Sequence, residues 1–254
     1  PQSTAEMVRK AFRIAQQERP GATYLAVPQD VEAMAVPDDL HPLLPAIPGR
    51  SAPDPEAIRA AAALLRDSRF PVILAGHGVA RQGASAALNQ FVGHYQLPAA
   101  TTFMGKGVVS DRSPHSLGVM GFMRHDYENF AFDQADVILA VGYELQEFAP
   151  ERMNPHADKR IIHLNSFLPD TDSHYAADIS ITADITLSLQ ALSDALGELP
   201  LHNSPAAAKI RDLRQQELEN GRQDNSFPLK PQRIVADMRS AMGDEDIVLA
   251  DTGA

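Results

Sequence analysis

Short, continuous apolar segments that alternate with helix-like segments constrain the fold of this chain more than any other feature. Their unbroken hydrophobicity is typical of strands that are buried on both faces. These segments span residues 70–75, 97–102, 135–141, 160–165 and 179–182. The spacing of apolar residues predicts helices over residues 54–65, 88–92, 126–134 and 185–196. Strands that alternate with helices in this way indicate a parallel sheet.

Right-handed crossovers between these strands would place helices on both faces of the sheet. The sequence therefore predicts an α/β fold with a Rossmann-like parallel sheet of about six strands. Ligands of such sheets bind at the carboxyl ends of the strands, close to where the strand order reverses. The candidate binding residues are those in the loops that follow the predicted strands.

Charge and composition narrow the range of partners. The chain has 22 Lys and Arg residues against 33 Asp and Glu residues, which gives a net charge of −11. Nucleic acids and anionic membranes are bound by basic surfaces, so neither is predicted as a partner. No segment approaches the roughly 20 apolar residues of a membrane span, and the first residues lack a signal-peptide pattern. A cytoplasmic protein is therefore predicted.

No catalytic or metal-binding residues are predicted within the chain. Cysteine is absent, which excludes disulfides, thiolate nucleophiles and Cys-ligated zinc. The nine histidines are scattered, and no two have the i, i+4 spacing of a helical zinc site. Neither a Ser-His-Asp arrangement nor an acid–base pair of carboxylates stands out.

The first candidate loop follows the apolar segment at residues 70–75. It contains Gly76, His77, Gly78 and Gly83 and leads into a helix, where glycines permit close approach of a ligand and helical N–H groups favour an anion. The spacing G-x-G-x4-G differs from the G-x-G-x-x-G dinucleotide fingerprint. A plain tight turn is an equal alternative.

Three further loops have polar residues at predicted strand ends. The second loop contains Thr101, Thr102, Met104 and Gly105, followed by Lys106, and would bind polar ligand atoms or simply cap a strand. The third contains Gly142 with Glu144 and Glu147, which would bond ribose hydroxyls or seal an interface. The fourth contains Asn165, which would contact ribose or form an ordinary turn.

Both ends of the sequence have the pattern of incomplete domains. Residues 4–15 predict an amphipathic helix, and residues 23–27 predict a short strand. Residues 231–242 predict another helix, and residues 246–250 predict a buried strand that no helix follows. A parallel strand needs cover on both faces, so we expect the chain to be a piece of a longer protein.

Taken in order, these segments resemble the middle of a thiamine-diphosphate-dependent enzyme of the acetolactate synthase type, over nearly the whole chain. Arg19-Pro20-Gly21 followed by Val27-Pro28-Gln29-Asp30-Val31 is similar to the end of that family's pyrimidine-binding domain. Residues 71–83, 101–107 and 116–118 resemble its central domain. Residues 246–253 resemble the first strand of its diphosphate-binding domain, with Asp251 and Gly253 in an Asp-x-Gly motif.

The resemblance implies a division into five segments. Residues 1–32 would end the pyrimidine-binding domain, and residues 33–53 would form a proline-rich linker. Residues 54–198 would form the central Rossmann-like domain, of the DHS-like class that binds NAD or FAD. Residues 199–227 would hold a second linker and a charged, exposed helix, and residues 228–254 would begin the diphosphate-binding domain.

The family decarboxylates pyruvate on thiamine diphosphate and adds the two-carbon unit to a second 2-oxo acid. The resemblance therefore implies thiamine diphosphate and Mg²⁺ as cofactors of the full enzyme, the pyrimidine- and diphosphate-binding domains as partners, and a homo-oligomer. It places the activating glutamate and the metal-binding motif outside this sequence, so the chain by itself is expected to be inactive.

Many members of the family hold FAD in the central domain, where the matching positions are the residues of the first two loops. Two segments depart from the FAD-binding pattern. Gly121-Phe122-Met123-Arg124 replaces Gly-Met-His-Gly, and residues 142–147 read Gly-Tyr-Glu-Leu-Gln-Glu instead of Gly-Ala-Arg-Phe-Asp-Asp. The latter version is similar to the catabolic, FAD-independent branch. FAD thus stays open, and a non-catalytic domain that binds FAD or NAD, or serves assembly, stays the alternative function.

Overall fold

The computed structural model describes residues 3–36, 38, 40–44, 49–121, 129–198 and 205–249. The chain divides into two compact units, Pro1–Ala52 and Pro53–Ala254.

The described residues of the first unit contain two helices, α1 (Thr4–Gln16) and α2 (Gln29–Glu32). The helix predicted over residues 4–15 is therefore confirmed. The strand predicted over residues 23–27 is wrong: this segment forms no ladder with any described strand, and Tyr24 is 92% exposed. A strand depends on a neighbour that takes up its backbone hydrogen bonds, and the described part of this unit supplies none.

The second unit is built on a parallel sheet, which confirms the predicted α/β, Rossmann-like class. Within the part of the chain that the structure describes, its six strands are β1 (Pro71–Ala75), β2 (Ala99–Thr101), β3 (Ser116–Val119), β4 (Val137–Val141), β5 (Arg160–Asn165) and β6 (Ile179–Thr182). They are arranged in the order β3-β2-β1-β4-β5-β6, and every neighbouring pair is parallel. β3 was not predicted, because Ser116 and the left-handed Gly118 interrupt its apolar character.

Seven α-helices of the second unit lie within the described residues. They are α3 (Pro55–Asp67), α4 (His77–Arg81), α5 (Ser85–Tyr95), α6 (Asn129–Gln134), α7 (Ile185–Leu196), α8 (Pro205–Gln223) and α9 (Pro231–Ala241). Aspartates cap two of them: the Asp54 carboxylate accepts a hydrogen bond from Glu56 N at 3.0 Å, and that of Asp184 accepts one from Leu187 N at 2.9 Å. Residues 126–128 of the helix predicted before β4 lie outside the described residues.

The strands bury side chains on both faces of the sheet, as their apolar sequences require. Along β1, Ile73 and Ala75 belong to a core cluster with residues of α3, α5 and α7, whereas Val72 and Leu74 belong to a cluster with residues of α6 and α8. The alternation follows from the two-residue period of a strand. Each face of the sheet thus has its own layer of helices.

Three predictions are corrected by the second unit. The glycine-rich turn predicted between β1 and the helix at residues 88–92 is wrong for residues 77–81, which form the short helix α4. The helix at residues 206–222 is not simply exposed: Ala207 and Ile210 of α8 are 8% and 3% exposed and belong to the core. The strand at residues 246–250 is not formed over residues 246–249, where Leu249 is 94% exposed, since no described strand pairs with it; Ala250 lies outside the described residues.

Candidate functional site

The strand order reverses between β1 and β4, which are neighbours at the centre of the sheet. From β1 the chain continues to β2 and β3 on one side, and from β4 it continues to β5 and β6 on the other. The loops after β1, β2 and β4 therefore lie together at the carboxyl edge of the sheet. In open parallel sheets this is where ligands bind, and most of the sequence-predicted residues lie in these loops.

The glycines of these loops bring backbone against backbone. A Cβ atom added to Gly76 would lie 2.5 Å from the Gly142 carbonyl oxygen, and one added to Gly142 would lie 2.5 Å from Val79 N. Gly142 also has a positive φ of 63°, which favours glycine. A Cβ atom on Gly105 would lie 2.6 Å from the Ala75 carbonyl oxygen. The glycines are needed here because the loops contact one another, and the space beside each is filled by protein backbone.

Glu147 joins the three loops. One carboxylate oxygen accepts hydrogen bonds from His77 N at 2.8 Å and from the Thr102 hydroxyl at 2.6 Å, and the other accepts one from Glu144 N at 3.1 Å. Burial raises the pKa of the Glu147 carboxyl above its ordinary value, although the hydrogen bonds from these donors oppose the rise. The side chain is an internal link between loops that belong to different strands.

Thr102 uses both functions of its hydroxyl group within the protein. The hydroxyl donates to Glu147 and accepts a hydrogen bond from Gly105 N at 2.9 Å, while Thr102 N donates to the Ala75 carbonyl at 2.9 Å. The residue is fully buried. Thr102 and Gly105 therefore shape the loop after β2, as a strand-end cap does, and the hydroxyl is already engaged with protein groups.

The first N–H groups of α4 are also bonded within the chain. His77 N donates to Glu147, Gly78 N donates to the Gly142 carbonyl at 2.9 Å, and Val79 N donates to the Gly76 carbonyl at 3.2 Å. Helix N-termini offer such groups to phosphates when nothing else bonds them. In this fold the donors that sequence analysis assigned to an anionic ligand have protein acceptors.

A second charged contact lies beside the first. Arg81, in the last turn of α4, forms an ion pair with Glu144, and the two side chains are 19% and 9% exposed. The neighbouring Tyr143 is buried and donates its hydroxyl hydrogen to the Phe148 carbonyl. Burial raises the pKa of the Tyr143 phenol. These contacts fix the loop after β4 in place.

The remaining predicted residues have separate positions. Thr101 is buried at the end of β2, and Met104 is 59% exposed. Gly83 has a positive φ of 64° with no heavy atom within 4 Å of its added Cβ, so it makes the turn between α4 and α5. Asn165, at the end of β5, donates its side-chain N–H to the Tyr143 carbonyl at 3.2 Å. Asp251 and Gly253 lie outside the described residues.

Within the described part of the chain, no group of three or more His, Asp or Glu side chains is arranged to hold a metal ion. Over the same residues, no helix is both long and apolar enough to cross a bilayer.

Comparison with known proteins places this edge of the sheet in a known domain. Residues 58–192, which contain all six strands, match the model of the thiamine pyrophosphate enzyme central domain. The chain belongs to the thiamine-diphosphate-dependent enzymes of the acetolactate synthase family. This confirms the resemblance found in the sequence.

Several members of the family are similar over most of the chain. A probable acetolactate synthase large subunit of Methanocaldococcus jannaschii is 30% identical over 99% of this chain and 44% of its own length. An acetolactate synthase of Bacillus subtilis is 30% identical over 98% of this chain and 44% of its own length. A probable 2-ketoarginine decarboxylase of Pseudomonas aeruginosa is 29% identical over 84% of this chain and 38% of its own length. The chain thus spans less than half the length of these relatives.

Sequence reasoning identified the loops of this site but not the residue that connects them. The sequence predicts Glu147 as a ribose ligand or an interface residue, whereas its carboxylate bonds His77 N and Thr102 within the same domain. The available signal was its position five residues after Gly142. That spacing allows a short turn to bring the side chain back to the strand end.

Proposed function

We propose that this chain is the central portion of a carboligase that uses thiamine diphosphate and Mg²⁺ to decarboxylate pyruvate and ligate the two-carbon unit to a second 2-oxo acid. The match of residues 58–192 to the central domain of thiamine pyrophosphate enzymes carries the proposal. The names of the relatives as acetolactate synthases support this reaction class. The full enzyme is proposed to be a cytoplasmic homo-oligomer that includes pyrimidine- and diphosphate-binding domains.

We propose that the residues of this chain serve as a scaffold for the full enzyme. Thiamine diphosphate supplies the electron sink on which a 2-oxo acid loses carbon dioxide. The residues proposed to lie near its diphosphate, Asp251, Thr252 and Gly253, are outside the described residues. At the carboxyl edge of the sheet, the candidate polar groups of the described residues bond one another. These groups hold the loops in position rather than take part in chemistry. The isolated chain is therefore proposed to be inactive.

Two preparations test the proposal. The full-length protein that contains this chain is given pyruvate with thiamine diphosphate and Mg²⁺, and acetolactate and carbon dioxide are measured; the 254-residue chain is assayed in the same way. The proposal expects product from the first and none from the second. Turnover by the chain alone would contradict the scaffold role.

The choice of 2-oxo acid is tested separately. One relative is a probable 2-ketoarginine decarboxylase, so a set of 2-oxo acids with short, branched and guanidinium-bearing side chains should be compared at equal concentration. The proposal expects the highest kcat/KM for pyruvate. A clear preference for a guanidinium-bearing substrate would retain the enzyme family but overturn the assigned reaction.

A further inference from the structure

The arrangement of the loops at the carboxyl edge of the sheet determines whether FAD or NAD fits there. A dinucleotide bound where the strand order reverses needs N–H donors at the start of the helix after β1 and an open crevice between the central loops. Both requirements can be compared with the described residues. Neither requirement depends on the reaction proposed above.

The donors are already used. His77 N bonds the Glu147 carboxylate at 2.8 Å, and Gly78 N bonds the Gly142 carbonyl at 2.9 Å. A phosphate at this position would have to displace both acceptors and leave a buried carboxylate without its donors, which is costly. The domain supplies its own negative group where a diphosphate would otherwise accept hydrogen bonds.

The crevice is closed as well. The Gly76 and Gly142 backbones approach so closely that an added Cβ on either would lie 2.5 Å from the other loop. A ligand backbone or phosphate is larger than a methyl group and has no room between them. The glycines that would admit a dinucleotide are in contact with each other instead.

The charge of the loop after β4 is also unfavourable for a bound dinucleotide. Glu144 and Glu147 lie within one loop, and Arg81 is paired with Glu144. The charge of Glu144 is itself one of the causes that raise the pKa of Glu147. A diphosphate would add negative charge next to the carboxylates of Glu144 and Glu147, so electrostatics would oppose its entry. The described residues around β1, β2 and β4 therefore do not fit FAD or NAD at this position.

We propose that the Glu147 carboxylate takes the place of a dinucleotide phosphate in this domain, so that the sheet edge closes without FAD or NAD. The carboxylate accepts the N–H of α4 and the hydroxyl of the loop after β2. It holds together the three loops that a bound dinucleotide would otherwise bridge. Glu147 is a positioning residue for these loops and takes no part in chemistry.

Ligand titration tests the first half of the proposal. The 254-residue chain is titrated separately with FAD and with NAD, following flavin fluorescence, heat of binding and melting temperature. Neither compound is expected to bind saturably or to raise the melting temperature at concentrations up to 1 mM, on the order at which weak ligands bind. Saturable one-to-one binding of either dinucleotide would overturn the proposal.

Substitution tests the second half. Glu147→Gln keeps the shape of the side chain but removes the charge and one acceptor, so the melting temperature should fall by about 4–8 °C, and exchange of the His77 amide hydrogen should become faster. The matched control is Glu151→Gln, which removes a carboxylate from an exposed position nearby and should change neither quantity.

A milder variant keeps the test decisive if Glu147→Gln does not fold. Thr102→Val removes the hydroxyl that bonds both the Glu147 carboxylate and Gly105 N, and should destabilise the domain while leaving FAD binding absent. Unchanged melting temperature and unchanged His77 exchange in both variants would show that the carboxylate does not hold the loops. None of these measurements involves pyruvate turnover, so their failure is distinct from failure of the proposed reaction.

Discussion

At the scale of single residues, the central loops depend on positions where a side chain has no space. Gly142 combines a positive φ of 63° with a would-be Cβ contact of 2.5 Å to Val79 N. The sequence predicts this glycine as a ligand contact, because glycine at a strand end is consistent with either role. Only the fold shows which backbone occupies the space beside it, since that depends on residues from a different part of the chain.

Gly142→Ala should therefore destabilise the protein strongly. The left-handed conformation costs about 1–2 kcal/mol for a residue with a Cβ, and the forced contact with backbone adds about 1–3 kcal/mol. Gly93→Ala is the matched control: Gly93 lies in α5 with no heavy atom within 4 Å of its added Cβ, so alanine should stabilise by roughly 0.5–1 kcal/mol. Urea unfolding measures both, and equal free energies for the two variants would contradict this assignment.

At the scale of elements, the sequence predicts the helices and strands whose own residues mark them. The helices α3 and α7 have an aspartate cap and apolar residues at helical spacing, and β1, β4 and β5 have continuous apolar runs. The failures at residues 23–27 and 246–249 were apolar runs without a described neighbour, because pairing is not visible in one strand's sequence. The burial of Ile210 is not predictable from the sequence alone, because most residues of α8 are polar and few of its positions are apolar.

The docking of α8 gives a stability prediction. Ile210 is 3% exposed within a core cluster that includes residues of β1 and α6, so Ile210→Ala should cost about 2–5 kcal/mol. Leu218→Ala, at a position on the same helix that is 52% exposed, should cost less than about 1 kcal/mol. Guanidinium chloride unfolding checks the pair. A small effect at Ile210 would mean that α8 does not contribute to the core.

The amino edge of the sheet is held by a second carboxylate, Asp136, directly before β4. Its oxygens accept hydrogen bonds from the Ser68 hydroxyl at 2.6 Å, Arg69 N at 2.8 Å and Phe70 N at 2.9 Å. Burial by itself would raise the pKa of Asp136, but these hydrogen bonds outweigh it and hold the pKa below the ordinary value of 3.8. The segment that leads into β1 is thereby joined to the start of β4.

Asp136→Asn should lower the free energy of unfolding at neutral pH by about 1.5–3 kcal/mol, the range for hydrogen bonds to a charged group. Because the folded-state pKa is lowered, the stabilisation by Asp136 is present above the ordinary value of 3.8 and is lost as pH falls through the folded-state pKa. The difference between wild type and variant should therefore be constant from pH 7 to about pH 5 and should shrink below about pH 4. Urea unfolding at a series of pH values measures it, and a difference that grows toward acid would contradict the assignment.

At the scale of the whole molecule, stability is concentrated in one of the two compact units. Among the described residues, the buried apolar side chains begin at Ile58 and end at Ile210. Both helices of the first unit lack buried residues, and α1 exposes Met7 and Phe12 by 52% and 66%. Hydrophobic burial is the main favourable term in folding, so the cooperative unfolding of this chain should come from the second unit.

A chain that begins at Pro53 should therefore unfold with the same midpoint as the full 254 residues, to within about 2 °C, since only a small loss of apolar burial is involved. The denaturant m-value should fall only slightly, because m follows the surface exposed on unfolding and the first unit buries little.

A chain that ends at Glu198 and lacks α8 should in contrast melt at a clearly lower temperature, because Ala207 and Ile210 are lost from the core. Calorimetry of the three chains measures these differences. If removal of the first unit lowered the midpoint as much as removal of α8, the first unit would have to stabilise the sheet, and the concentration of stability in the second unit would be wrong.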